Sequence, residues 1–489
     1  MEQTDLLIVG AGPAGMAAAV TARRLGLSVI IADENAEPGG QIYRRVLSNS
    51  ERPRRFRVLG ADYLAGHSLA RAFVASGADW RPQTTVFEIA EDGSASLVAP
   101  GRGAYPILAR AVLIANGAYE RALPVPGWTL PGVMTAGAAQ TLLKTSGHVP
   151  TGRIVLAGGG PLLWYTAWQL RAAGAEIGAL LSFTPAADYL HLSRTALAAW
   201  RNAGDLAKGA KWIAAMHLGG VSITHGARLI SIEGQSPNLR VRYESSKGNG
   251  VEEAATVLLH AGIIPDIQAS KSLRLEHDWD TIGHSWRPRV NAWCVSSQPT
   301  ILIAGDGAGI SGAKDAERAG QLAALGLAER LGRITANQRD AEGTPLLSAR
   351  AREKKLRTYL DQLFMPPDWV RVPVNDATLV CRCEEITAAQ IRAAVRLGAT
   401  GPNQVKAYTR AGMGNCQGRM CAHATAAIIA HEMGVSADQV ATQQVRPPLK
   451  PVHLSDLAAM DVGVPEQGSL SISDMRGHAS STMAGAIQP

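Results

Sequence analysis

Short, wholly apolar runs that end in glycine-rich turns recur along this chain, each followed by an alanine-rich stretch with helical spacing. The first is Asp5–Val9. It is followed by G-x-G-x-x-G at Gly10, Gly12 and Gly15, a helix to about Leu25, and a second apolar run, Ser28–Ala32, that ends at Asp33. A continuous apolar run bounded by turn residues reads as a buried strand, and strand–helix–strand repeats predict a parallel sheet covered by helices. The pattern returns at 153–183 (RIVLAGGGPLLWYTAWQLRAAGAEIGALLSF) and at 299–332, where a strand meets Gly-Asp-Gly and then a long helix. Between them, 84–115 holds alternating runs (TTVFEIA, SASLVA, PILARAVLIA) that suit a small sheet returning to the core. The stretch 183–295 reads as helical sequence (AADYLHLSRTALAAW), two strand-like runs and TVLLHAGIIPD.

The first repeat carries chemistry. Gly10 permits a tight turn, Gly12 lets backbone approach a pyrophosphate, and Gly15 lets helix and strand pack closely. The pyrophosphate would rest on free N–H groups at the positive end of the helix, around Pro13 and Ala14. Asp33, with Glu34 beside it, is placed to accept from a ribose hydroxyl. Gly39-Gly40-Gln41 could let backbone approach the same cofactor, or be an ordinary turn. The strand AVLIANGAYER ends at Asn116-Gly117, where a glycine could meet the ligand. Gly305-Asp306 lies where another strand meets a helix, and Asp306 reads as a hydrogen-bond partner of the ligand or as a helix cap. The second repeat departs from the fingerprint: Gly158 and Gly160 are present, but the third position is Leu163. The ribose position falls near Ser182, with neither the acid for NAD nor an Arg for a 2′-phosphate. This unit is expected to have lost nicotinamide binding and to hold either another nucleotide or nothing.

Four of the five cysteines crowd between 381 and 421. Cys381 and Cys383, two apart in extended backbone, would project to one face. Thr387 and Gln390 form a capping box for a helix ending near Gly398. A second helix is expected over about 403–409, and GMGNCQGRMC brings Cys416 and Cys421 round in a loop. Cys421 would open an Ala-rich helix whose positive end favours thiolates. Four thiolates suit structural zinc or a [2Fe-2S] cluster, and spacing alone does not separate them. Such clustering argues against a disulfide framework and for ligands in a reducing, cytoplasmic setting. Cys294 stands alone and reads as a small core residue.

Length and composition narrow the picture further. A chain of 489 residues with 46% hydrophobic content fits two to four globular domains. A net charge of +7 is not by itself a nucleic-acid signature. The densest basic run, RRVLSNSERPRRFR at 44–57, lacks interleaved aromatics and reads as a solvated loop or a subunit contact. No secretory signal is visible and no run is long and apolar enough for a membrane span.

The order of these units resembles the α/β two-dinucleotide-domain flavoproteins of glutathione and thioredoxin reductase type, over about 1–330. That resemblance implies FAD on the first glycine set together with Asp33, Gly117 and Asp306. The redox C-x-x-C of those reductases is absent, so disulfide reduction by that route is not expected. Residues 377–434 resemble the bacterioferritin-associated-ferredoxin-like [2Fe-2S] domain, implying a small helical cluster domain ligated by Cys381, Cys383, Cys416 and Cys421. With PGGQIYR, NGAYERALPVPGW, LPGVMTAGAAQ, VCRCEEIT, TRAGMGNCQGRMC and RPPLKPV (446–452), nearly the whole chain resembles the α subunit of heteromeric opine and amino-acid dehydrogenases. Relatives of that group include octopine and nopaline oxidase, proline and hydroxyproline dehydrogenase, and hydrogen cyanide synthase. The resemblance implies an electron-transfer subunit. Oxidation of the carbon–nitrogen bond would fall to a separate β subunit of amino-acid-oxidase-like fold. A small γ subunit, an FMN at the subunit contact and a quinone or other acceptor are further features it admits. No catalytic acid or base is expected in this chain. A stand-alone NAD(P)H-dependent flavoprotein reductase is the competing reading. The expected organisation is an FAD-binding domain in two segments (1–118 and 296–330) and a second dinucleotide-type domain (119–295). A linker (331–375), the cluster domain (376–445) and a tail (446–489) follow.

Overall fold

The computed structural model describes residues 1–52, 58–189 and 203–460. The first strand, β1 (Glu2–Val9), lies between β2 (Val29–Ala32) and β3 (Gly103–Ile114), parallel to both, with Val9 opposite Ala32 and Ile114. Asp79–Arg81 extends this sheet in parallel beyond β2, and Ile301–Ile303 pairs in parallel with the end of β3. Thr85–Ile89 and Ser94–Ala99 complete its seven strands as an antiparallel flap. A strand from residue 301 thus closes a sheet begun at residue 2, and the first unit is built from two distant segments.

The second unit is a five-stranded parallel sheet. Its centre is Ile154–Gly158, flanked by Ile177–Ser182 and Thr256–His260, with Ser222–His225 and Val133–Thr135 outside. A three-stranded antiparallel sheet, 228–254, packs on it, sharing a core with Trp128, Phe183 and Val370. Part of AADYLHLSRTALAAW and part of the basic run lie outside the described residues.

Backbone contact dictates how the first unit closes. Helix α1 (Pro13–Arg24) is crossed by the helix Ala313–Arg330 with Gly320 at the contact, and it meets its own strand and turn at Gly15. A Cβ on Gly15 would lie 1.9 Å from the Gly10 carbonyl oxygen, and one on Gly320 would lie 2.0 Å from that of Ala14. Neither position has room for a methyl group.

After residue 330 the chain runs into a long helix, Ala336–Leu363, opened by a Thr335/Gln338 capping box and packed on Ala313–Arg330. It differs from a simple linker beyond that point. Phe364–Val370 returns to the second unit, where Trp369 meets Phe183 edge-on at 4.7 Å and Val370 is buried in that core. The cysteine module follows: Leu379–Cys381, then helices Ala388–Arg396, Pro402–Thr409 and Ala422–Met433 around a core of their own. The Thr387/Gln390 capping box is present. Cys294 is buried in the first unit's core.

Replacing Gly320 by Ala should force the two helices apart. Overpacking of this kind costs about 1–3 kcal/mol, read as a fall of several degrees in thermal midpoint. A Gly209→Ala control, within the helix Ala203–Leu218, avoids the crossing, since a Cβ there would meet nothing within 4 Å.

Candidate functional site

Three of the expected segments meet at the amino end of α1. Gly12 is its N-cap without any side-chain cap, and Pro13 occupies the first turn. The N–H groups of Ala14 and Gly15 therefore remain as unpartnered donors at a helix N-terminus, which is the cradle an anionic phosphate uses. Gly40 approaches so closely that a Cβ on it would stand 2.8 Å from Gly12 Cα, and the Gly39 N–H donates to Ala11 O at 2.8 Å. Gly305 lies against Ala14, with 3.0 Å from its would-be Cβ to the Ala14 methyl. A Cβ on Gly307 would meet Asn116 Oδ1 at 2.8 Å. That oxygen is buried and has no partner, whereas Asn116 Nδ2 donates to Asp266 O at 3.0 Å. Gly117, at φ +74°, faces open space. An unpaired carbonyl oxygen, free helix N–H groups and close glycine backbone fit the flat, polar, phosphate-bearing body of a dinucleotide.

The acids behave less simply than their spacing suggests. Asp33 is buried, and its carboxylate accepts N–H from Ala11 at 2.7 Å and from Asn35 at 2.7 Å. Its first job is thus to fasten the glycine turn to the end of β2. Glu34 is the exposed neighbour and pairs with Lys450. Asp306 Oδ1 accepts from the Ser311 and Gly312 N–H groups at 2.9 and 3.1 Å, so it does organise the start of the following helix. Gln41 presents its carbonyl to Lys144 Nζ at 3.0 Å.

Lys144 gave no sequence signal. It is 2% exposed, bonded to two neutral oxygens, Gln41 O and Gln140 Oε1, with no carboxylate partner. Burial, with Arg44 nearby, brings it down to about 7.

The cysteines come together in two pairs. Cys381 ends its strand, but Cys383 lies in the following turn rather than in extended backbone; Glu385 at φ +54° helps make that turn. The Cys381 and Cys421 thiols are within hydrogen-bond reach, as are those of Cys383 and Cys416. The Cys421 contact, opposed by burial and helped by N–H groups of Gly412, Glu384 and Cys383, takes Cys381 down to about 5. The Cys381 contact and burial push Cys421 strongly up. Among the described residues no group of three or more His, Cys, Asp or Glu is placed to hold a metal ion. The loops have no slack: Gln443 clamps Gly412 and Gly418, and a Cβ on Gly414 would strike Cys383 Cβ at 2.2 Å.

This module is docked beside the glycine cradle. Arg419 faces Asp266 at 3.8 Å and donates to Leu449 O at 2.9 Å; Gln417 Nε2 donates to Pro448 O at 2.6 Å. Leu449 is buried in the first unit's core and its N–H reaches Phe87 O at 2.6 Å. Residues 446–450 are therefore a strap across both parts, not a loose tail, and only the RPPLKPV stretch hinted at it. Trp128 Nε1 holds Leu379 O at 2.7 Å on the other side.

The second unit's glycine loop is occupied by protein. His260, bonded through Nδ1 to Glu120 at 2.7 Å, places its ring 3.5 Å from the would-be Cβ of Gly160. The Gly159 N–H is used by His260 O. Residues 362–367 cover the remaining cleft of about 280 Å³.

Residues 4–323 match the pyridine nucleotide-disulphide oxidoreductase family, and 375–461 match the sarcosine oxidase A3 domain. An opine oxidase subunit from Rhizobium meliloti is 40% identical over 93% of this chain and 87% of its own. The chain belongs to the same family as that opine oxidase subunit. Within this group of oxidoreductases, hydrogen cyanide synthase subunit HcnB from Pseudomonas aeruginosa is 33% identical, covering 85% of this chain and 90% of its own. The fold is shared with L-proline dehydrogenase from P. horikoshii, at TM-score 0.67 and 18% identity over 93% of this chain and 80% of that one. The two-domain flavoprotein architecture expected from the sequence is thus found. Among the described residues no helix is long and apolar enough to cross a membrane.

Lys144 predicts a pH dependence for this opine oxidase relative. Its native value lies near 7 against 10.5 ordinarily, so between them the unfolded chain holds a proton the native one lacks. Stability therefore rises with pH across that window, by up to about 1.4 kcal/mol per unit. Lys144→Met should remove that rise, measured by urea unfolding at pH 7, 8 and 9.

Proposed function

We propose that this chain is the electron-transfer α subunit of a heteromeric flavin-dependent dehydrogenase acting on the carbon–nitrogen bond of an opine or an amino or imino acid. Membership of the opine oxidase family supports this, as does the naming of its relatives as subunits. The observation that carries it is the docking of the cysteine module on the loop after β3, through Arg419–Asp266 and Asn116–Asp266. It puts four thiols and the glycine cradle on either side of one seam.

FAD would be held by the free N–H groups of Ala14 and Gly15, the close backbone of Gly10, Gly12, Gly40 and Gly117, the Asn116 carbonyl oxygen, and Asp306. Asp33 keeps the turn in shape, and Glu34 is the exposed acid for a ribose. The four cysteines would hold a [2Fe-2S] cluster. Their grouping two and two suits two irons, each with two thiolates, better than one zinc ion needing all four around a point. When bound, these groups supply two-electron and one-electron chemistry respectively. The chain's own part is to fix their positions and, through the backbone N–H groups aimed at Cys381, to favour thiolate there. Amine oxidation belongs to a β subunit of amino-acid-oxidase-like fold. A quinone or other acceptor, an FMN at the subunit contact and a small γ subunit complete the reading. Thiols without disulfides favour a cytoplasmic setting. The stand-alone NAD(P)H reductase is disfavoured by His260 against the second glycine loop and by the covering segment 362–367 in the second cleft.

Co-expression with its genomic partner should give a complex containing about two irons and flavin per α chain that oxidises its imino or opine substrate, whereas the isolated chain should not. Cys416→Ser should lose the iron and its visible absorbance while keeping flavin. Full-rate substrate oxidation by the isolated chain, zinc in place of iron, or rapid flavin bleaching by NADH would each overturn part of this assignment.

A further inference from the structure

A second polar constellation lies away from the glycine cradle. A cavity of about 60 Å³ opens between the segment after Gly117, helices Gln268–Ser272 and Asp368–Arg371, the hairpin 277–288 and the start of Ala422–Met433. That is room for about four or five waters. Three side chains that carry positive charge, Arg121, Lys271 and Arg371, line it, with His284 and His423 beside them and no carboxylate among the lining residues. Arg121 is 6% exposed. Its Nη atoms donate to the Gly283 and His284 carbonyls, and its Nε is buried without an acceptor. Arg371 reaches Asp368 with one Nη and His284 Nδ1 with the other, leaving its Nε buried and unpartnered too. Lys271 lies over the Trp286 ring at 5.1 Å and makes no ion pair among the described residues.

Of the described carboxylates on the packed elements, Asp368 alone pairs with this group, through Arg371. Asp280 accepts the Ile282 and Gly283 N–H groups, Asp368 is largely in solvent beside Arg371, and Asp361 is paired with Arg357. Two residues lining one cavity thus each keep a buried guanidinium N–H without an acceptor, a cost that a bound acceptor would remove. Their natural complement is an oxyanion, which guanidinium groups bind with charge-assisted hydrogen bonds. The rest of the lining is apolar and aromatic, including Tyr119, Trp279, Trp286 and Met420. With room for about four or five waters, the cavity takes a charged group and little else.

We propose that this cavity binds a small oxyanion of the size of acetate or phosphate, with its oxygens on the Arg121 and Arg371 guanidinium groups and Lys271 at its flank. The site is separate from the cradle and the cysteine quartet, yet bordered by both: Tyr119 follows Gly117 by two residues and His423 follows Cys421 by two. It stands whether or not the cofactor assignment does.

Isothermal titration of the purified full-length chain with acetate, inorganic phosphate, benzoate and neutral acetamide tests it. One equivalent of acetate or of inorganic phosphate should bind with a change in Trp fluorescence, and the tighter of the two identifies the head as carboxylate or phosphate. Benzoate, too large for the cavity, should bind at least tenfold more weakly, and acetamide not at all. Arg371→Gln and Lys271→Gln should each weaken binding about tenfold. Lys271→Gln carries the test if the arginine variant folds poorly, because Lys271 supports no backbone carbonyl. Absence of binding by both acetate and inorganic phosphate, or binding unchanged in Lys271→Gln, overturns the proposal.

Discussion

The arrangement of this molecule turns on a charged contact at a seam. Asp266 follows the short strand Ile263–Pro265, which pairs with Ala118–Glu120 just beyond the glycine cradle, and it faces Arg419 from the cysteine loop. Burial drives its carboxyl above the usual range, against the pull of Arg419 and Lys450. A half-satisfied buried charge is expensive, so each member of such a pair holds the other in place. The Asp266 backbone carbonyl also takes Asn116 Nδ2, linking the same residue to the end of β3. One short segment therefore sets the spacing between two halves that have separate hydrophobic cores.

Much of the fold was legible because its determinants are local. Gly10, Gly12 and Gly15 are demanded by contacts within one strand–turn–helix unit, and the Thr387/Gln390 cap by a single turn. The four cysteines announced themselves by crowding. What could not be read was decided between distant segments. Asp33 has the spacing of a ribose ligand, but whether its oxygens face a ligand or the Ala11 N–H depends on the turn's final shape. Cys383 converges through a left-handed turn rather than a strand, which periodicity cannot express. Lys144 and Arg121 look like ordinary surface cations in one dimension. Only the packing of other elements over them makes them buried.

The second unit keeps the layout of a nucleotide-binding fold while protein packs against its glycine loop. Leu163 and Ser182 already set that loop apart from the first in sequence. The structure adds two features that sequence did not show: His260 and Glu120 pack against the loop, and residues 362–367 line the cleft beside it. The unit retains value as a platform, since its core receives Val370 and its Trp128 holds the cysteine strand.

The strap has a temporal consequence. Leu449 and Lys450 fasten the module to Phe87 and Glu34, yet they leave the ribosome after nearly every residue they join. Translation therefore completes the cradle, at Asp306, more than a hundred codons before its latch, so a nascent chain passes through a stage in which every cradle residue is made and the latch is not.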